Sequence, residues 1–401
     1  MSQYKVMPSP DVYPEVQELK TVVKVLDTYL NLEYLLCKKF DAVIRYNLMT
    51  RKREINIPNH NISSEDKDNA ALARVTYLAT VNSMPINQLD SHLDVIAFAN
   101  TYHPIVECIK NKQWDKQKRL DSFIKTIKSK NDTLTYKVIK TWMIAAIAAA
   151  HSVTGFINQG VLVLQGKQKI GKTSWVKSLD PINCGAVKES AFLDPDNKDN
   201  IAQLASYWIS EMGELDSIFK KSEIGRLKSF VTMEFDDVRA PYARKSNRLA
   251  RRSVYVATVN DGSFLVDDTG NRRWWTISVD SIDLNHGLDM QQVWAEAYYE
   301  WTQGALTDLS FEIQDQVNSE NLQFEKIDPL KEKVLTMLDW SNSIRVRKTA
   351  TQVLGLIGYS IPTRADATQM GKVLKDINKC AGSKSNGLLL HEVPPNIIFT
   401  K

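Results

Sequence analysis

Residues 161–174 read VLVLQGKQKIGKTS, and this stretch decides the fold class. Val161, Leu162, Val163 and Leu164 form an unbroken apolar run, the pattern of a strand buried on both faces of a parallel sheet. Gly166 to Thr173 then matches GxxxxGK[ST] at every fixed position, and a helix is expected over 174–178. Glycines let the backbone turn so that N–H groups point inward at a phosphate, and the following helix adds its positive end. Lys172 sets an ammonium against the β- and γ-phosphates, and Thr173 offers a hydroxyl to magnesium. A chance match is the competing reading; the strand before and the helix after argue against it. Gly166, Gly171, Lys172, Thr173 and Ser174 are therefore the expected nucleotide-binding residues, with ATP and Mg2+ as cofactors.

Hydrolysis needs carboxylates opposite such a loop. A second strand is expected over 205–210 (ASYWIS), with Glu211 just past its end, where an acid joins Thr173 in holding the magnesium shell. Glu214, three residues on, can orient and activate the attacking water. The two acids can exchange roles, and Glu214 or Asp216 also reads as a capping or surface acid. A third strand is expected over 253–259 (SVYVATV), with Asn260 at its tip as a sensor of the γ-phosphate or the lytic water. A turn asparagine is the other reading. In DDTGNRRWW, 267–275, Arg272 or Arg273 can present a guanidinium to a γ-phosphate, supplied from a neighbouring subunit if the chain forms a ring. Ion pairs with Asp267 and Asp268 are the alternative. Catalytic expectations thus fall on Lys172, Glu211, Glu214, Asn260, Arg272 and Arg273.

The chain has 401 residues, 43% hydrophobic, with a formal net charge of +4. That length supports two or three cores, and that charge excludes a histone-like coat, so contact with a polyanion must be local. Residues 220–252 supply such a patch, ten Lys/Arg against four acids. A hairpin over 234–252 would carry Arg239, Arg244 and Lys245 for DNA phosphates and Tyr242 for stacking on a base; a solvated surface stretch is the alternative. Four scattered cysteines and six scattered histidines argue against disulfides and metal sites. The N-terminus lacks an apolar signal core, and WMIAAIAAA at 142–150 is too short to span a bilayer. A cytoplasmic location in a bacterial host and no membrane partner are expected.

The fold expected is α/β: a P-loop NTPase (AAA+-like) core with a parallel sheet over 151–325, preceded by a mainly helical region over 1–150. Within that region, helix is expected over 16–44, 70–127 and 134–151. A small domain over 326–401 follows, with helices at 329–338, 349–356 and 367–378 and an extended tail, which suits a winged helix.

With these residues laid out, the chain resembles the virulence-associated E (VirE-like) family of phage and plasmid replication proteins, related to superfamily 3 helicases within the AAA+ class. The blocks that carry the resemblance include RYNLMTRKREI at 45–55, WISEMGELDSIFKKSEIGRLKSFVT at 208–232, VRAPYARKSNRLARRSVYVATVND at 238–261 and FLVDDTGNRRWWTI at 264–277, in family order. The resemblance implies an ATP- and magnesium-dependent hexameric ring that translocates on single-stranded DNA as a replicative helicase. It makes Lys172 and Thr173 the Walker A residues, Glu211 and Glu214 the Walker B cluster and Asn260 the sensor, and it places Arg239, Arg244 and Lys245 near the DNA hairpin. Two departures stand out: no primase-like acid cluster precedes the loop, so a separate primase partner is expected, and the Walker B acids are not adjacent. An ATP-dependent origin-binding initiator and a regulatory ATPase that remodels a replication partner remain the alternatives.

Overall fold

A computed structural model of the chain describes residues 13–20, 22–58, 66–191, 197–213, 224–238, 247–260, 262–265, 271–325, 328–380, 382–385 and 387–395. The helical run expected over 16–44 is broken. Val16–Glu18 (β1) and Val23–Val25 (β2) pair as an antiparallel ribbon, and helix begins only at Tyr29–Glu33 (α1), continuing as a π-helical turn over Tyr34–Lys39. Valines at 16, 22, 23 and 25 favour extended backbone. The buried Asn31 amide then pins that ribbon, donating to the carbonyls of Glu15 (2.6 Å) and Leu26 (3.0 Å). Val43–Asn47 (β3), Lys52–Asn56 (β4) and Thr101–Tyr102 (β5) form a second small sheet, packed by Lys67–Val81 (α2) and Leu89–Ala99 (α3). The first 100 residues are therefore mixed rather than mainly helical, with an apolar cluster of their own.

Beyond Pro104–Asn111 (α4) and Leu120–Ile124 (α5), the chain enters the main core before residue 150. Ile127–Ser129 (β6) is an edge strand of the large sheet, and the alanine-rich Asp132–His151 (α6) is buried beneath it. Trp142 Nε1 on α6 donates to the Tyr255 carbonyl (2.9 Å), and Trp208 Nε1 donates back to the α6 carbonyl of Ala146 (2.8 Å). A boundary at 150 would cut this packing; the compact units are Met1–Gln323 and Phe324–Lys401.

The remaining elements of the first unit, in order, are Val161–Gln165 (β7), Lys172–Lys177 (α7), Val187–Ala191 (β8), Lys198–Leu204 (α8), Ile209–Met212 (β9), Ile224–Thr232 (α9), Phe235–Val238 (β10), Asn247–Ala250 (β11), Val254–Val259 (β12), Trp274–Ile282 (β13), Met290–Thr302 (α10) and Phe311–Asn321 (α11). The six-stranded sheet has the order β6-β13-β7-β12-β9-β8; β6 is antiparallel to β13 and the other neighbours are parallel. The fold is thus mixed α/β around a largely parallel sheet. Its second expected strand moves: 205–208 is a turn, because the Ala205 N–H still closes on Ile201 (3.0 Å) and the Trp208 N–H reaches Ala186 (2.9 Å).

The second unit contains Pro329–Met337 (α12), Val346–Lys348 (β14), Ala350–Leu356 (α13), Arg364–Asn378 (α14), Ser383–Ser385 (β15) and Leu388–Val393 (β16). The strands form an antiparallel sheet in the order β14-β16-β15. Two capping boxes, Thr349 with Gln352 and Thr363 with Asp366, start α13 and α14. Helix-turn-helix followed by a β-hairpin is the resulting layout.

Two measurements check the packing of the first unit. Asp236 on β10 is 3% exposed and accepts from Arg251 Nε (2.8 Å) and Nη2 (2.6 Å) and from Arg51 Nη2 (2.9 Å). Asp236→Ala strands two guanidinium groups and is expected to cost about 3–5 kcal/mol in urea unfolding. His103 is buried, neither ring nitrogen has a partner among the described residues, and burial pushes its pKa down to about 3. Between an unfolded value near 6.5 and that folded one, the unfolded chain takes a proton the fold refuses, so stability falls as pH falls. His103→Phe should flatten that fall in melts at pH 7 and 4.5; an unchanged slope refutes it.

Candidate functional site

The loop after β7 is shaped by contacts that leave no room for side chains. A Cβ at Gly166 would lie 2.4 Å from the Val279 carbonyl oxygen on β13, and Gly171 holds φ +97°. The helix begins at Lys172, two residues earlier than expected, with Gly171 as its cap. Lys172 is 6% exposed. Its Nζ donates to the carbonyls of Gly166 (2.7 Å) and Lys167 (2.9 Å) and to Asn260 Oδ1 (2.9 Å). The expected lysine and the expected sensor therefore meet, because β12 is hydrogen-bonded beside β7 and delivers Asn260 to the same strand ends as the loop.

Glu211 lies inside β9, not past its end, and is fully buried. A buried carboxylate must have its lone pairs taken, and three elements do so. Thr173 Oγ1 on α7 donates to Oε1 (2.7 Å), Thr258 Oγ1 on β12 donates to Oε1 (2.8 Å), and the Ser190 N–H on β8 donates to Oε2 (3.1 Å). The sequence reading did not single out Thr258 and Ser190. Thr258 had a signal, a hydroxyl residue within an otherwise apolar strand. Ser190 had none: it sits at a register shift between β8 and β9 with φ +46°, a conformation uncommon outside glycine.

Lys172, Thr173, Ser190, Thr258 and Asn260 line a cleft of about 570 Å3 at the carboxyl ends of β7, β12 and β9, with Gln168, Lys169, Ser174 and Gly213 on its walls and Glu211 buried behind Thr173 and Thr258. Sites in open α/β sheets lie at such strand ends. An anion entering the cleft meets the Lys172 ammonium, and a hard cation meets the Thr173 hydroxyl, behind which lies the Glu211 carboxylate; both are oxygen donors of the kind magnesium takes. No group of three or more metal-ligating side chains occurs among the described residues.

The structure does not bring the two arginines there. Trp274 pairs with Val161, at the start of β7, so the turn Asn271–Arg273 lies at the opposite end of the parallel strands from the loop that follows Gln165. At about 3.3 Å per strand residue, that separation is roughly 15 Å. The Asn321 amide on α11 fixes this turn, donating to the carbonyls of Asn271 (3.2 Å) and Trp274 (2.9 Å).

The basic patch divides. Arg251 is fully buried in its ion pair with Asp236, and Arg252 Nε donates to the Ser152 carbonyl (2.9 Å), so both serve the fold. Arg248 is exposed, with its guanidinium 4.0 Å from the Phe235 ring centroid. The hairpin exists as β10 paired antiparallel with β11, from Phe235↔Ala250 to Val238↔Asn247. Arg239, Tyr242, Arg244 and Lys245, between the two strands in sequence, together with Glu214, Asp216, Asp267 and Asp268, lie outside the described residues.

The sequence model of the virulence-associated protein E-like domain matches residues 109–326. No curated protein matches the sequence. Among solved structures, the chain is similar to the apo C-terminal region (305–718) of NrS-1, at 13% identity and a TM-score of 0.47, covering 92% of this chain and 99% of that one. It is also similar to the A form of the same apo region, at 13% identity and a TM-score of 0.46, covering 92% and 100%. No helix among the described residues is long and apolar enough to cross a membrane.

Gly166→Ala tests the loop geometry. Its Cβ overlaps backbone, so a loss of about 1–3 kcal/mol is expected in urea unfolding. Gly225→Ala, whose Cβ meets nothing within 4 Å in α9, should be neutral or stabilising.

Proposed function

This chain belongs to the virulence-associated protein E-like family, and we propose that it is an ATP-hydrolysing replicative DNA helicase of a phage or mobile element, working as a hexameric ring on single-stranded DNA. The observation that carries the reading is the convergence of Lys172, Thr173 and Asn260 in one cleft at the ends of adjacent parallel strands, with buried Glu211 hydrogen-bonded to Thr173 behind it. That set supports a P-loop NTPase core. Lys172 binds and orients the terminal phosphates in place of the loop carbonyls it now contacts, while the loop N–H groups cradle them. Thr173 and Glu211 would hold magnesium, which supplies charge neutralisation of the phosphates when bound. Asn260 positions the γ-phosphate or the attacking water, and Glu214 is the proposed base.

Two further features support a ring. Arg272 and Arg273 sit at the other end of the strands from their own cleft, so a guanidinium that reaches a γ-phosphate would come from a neighbouring subunit. The β10–β11 hairpin, clamped at its base by Asp236, Arg251 and Arg51, suits a finger directed into a channel. A separate primase is the proposed partner.

Purified protein is expected to hydrolyse ATP with magnesium, faster with single-stranded DNA, and to separate a forked duplex. Lys172→Ala should lower turnover by at least a hundredfold. Hydrolysis without strand separation on any fork would sink the helicase and leave the ATPase; failure to bind or consume ATP would sink both.

A further inference from the structure

The second unit carries a surface that the ATPase reading does not use. Phe324–Lys401 contains twelve Lys/Arg against seven Asp/Glu, so the excess positive charge of the whole chain resides in this unit. Much of it is already engaged: Lys331 pairs with Asp376, Arg347 with Glu392, Lys333 lies over the Tyr359 ring, and Arg345 donates to the Trp340 carbonyl.

The second helix of the helix-turn-helix is different. At 100° per residue, Arg364, Thr368, Lys372 and Lys375 of α14 fall within an arc of about 80°. All four are exposed, and the three cations have no ion partner among the described residues. The opposite side of the helix carries Met370, Val373 and Leu374 into the unit's apolar cluster. No acid stands on the stripe, since Asp366 is held in the Thr363 capping box and Asp376 by Lys331. Lys379 caps the helix end, and the neighbouring strand β15 presents Ser383, Lys384 and Ser385, all exposed.

We propose that this unit docks duplex DNA, with α14 laid in the major groove and the β15–β16 hairpin against the flanking backbone. A helix of 15 residues is about 22 Å long and of a width the major groove admits. Lysines spaced along one face match the phosphate rows of a duplex, while Arg364 and Thr368 at the helix start are the residue types that reach base edges. Unlike the hairpin of the first unit, this surface takes paired rather than single strands, and its binding requires no nucleotide.

The experiment uses the full chain in EDTA without ATP, so that it stands or falls separately from the ATPase reading. Fluorescence anisotropy follows a labelled 30-base-pair duplex and the corresponding single strand from 50 to 200 mM salt. The expected result is that Lys372→Ala with Lys375→Ala weakens duplex binding about tenfold and lowers the salt slope by about two. Lys372→Glu with Lys375→Glu should abolish it, whereas Lys172→Ala and Lys333→Glu on α12 leave it unchanged. Unaltered melting of the variants confirms that α14 is intact. The proposal is overturned if wild type has no duplex affinity at 50 mM salt, if the double glutamate binds duplex as wild type does, if Lys333→Glu costs as much, or if the stripe variants lose only the single strand.

Discussion

The site depends on a carboxylate without access to solvent. Glu211 is fully buried, and a charge in that position is tolerable only while donors surround it. The donors come from α7, β8 and β12, three separate elements, so satisfying one side chain aligns the loop helix, the strand beside β7 and the edge of the sheet. Lys172 is held in the same way, by two loop carbonyls and Asn260. Such a network is rigid when complete and costly when partial, which makes it suited to holding a ligand geometry already formed.

A second buried charge cluster organises the other end of β12. Arg251 follows β11, and Tyr255 belongs to β12, so the Asp236 carboxylate ties the hairpin base to the strand that ends just before Asn260. Arg51 extends the cluster to the turn between β3 and β4. The hairpin is thereby anchored to the sheet through fixed ionic and hydrogen-bond geometry rather than through apolar contact alone. A rigid base is what a DNA-directed finger of the proposed motor requires.

The polar residues that escaped the sequence reading share a cause. Ser190 contributes a backbone N–H, and any residue type supplies one; only the bulge in β8 aims it at Glu211. Arg251 and Arg252 read as part of a local patch for a polyanion because a run of arginines carries no mark of burial. Their roles are set by Asp236 and Ser152, the second of which is 100 positions away. Likewise 16–25 resembled helix by its apolar content, while valine branching and the Asn31 amide made it a ribbon.

The sequence alone determined what rests on local spacing: the strand, glycine loop and lysine of 161–173, the strand that ends just before Asn260, the alanine-rich helix before them and the three helices of the second unit. Each is a pattern of neighbours within about a dozen positions, where period, capping and turn chemistry act directly. Tertiary structure alone decided that Glu211 lies within its strand, that α6 belongs to the core, and that Arg272 and Arg273 lie at the other end of the strands from the cleft of their own chain. Those outcomes depend on strand order and register, and long-range pairing is settled by burial and hydrogen-bond satisfaction between distant segments, which no local pattern records.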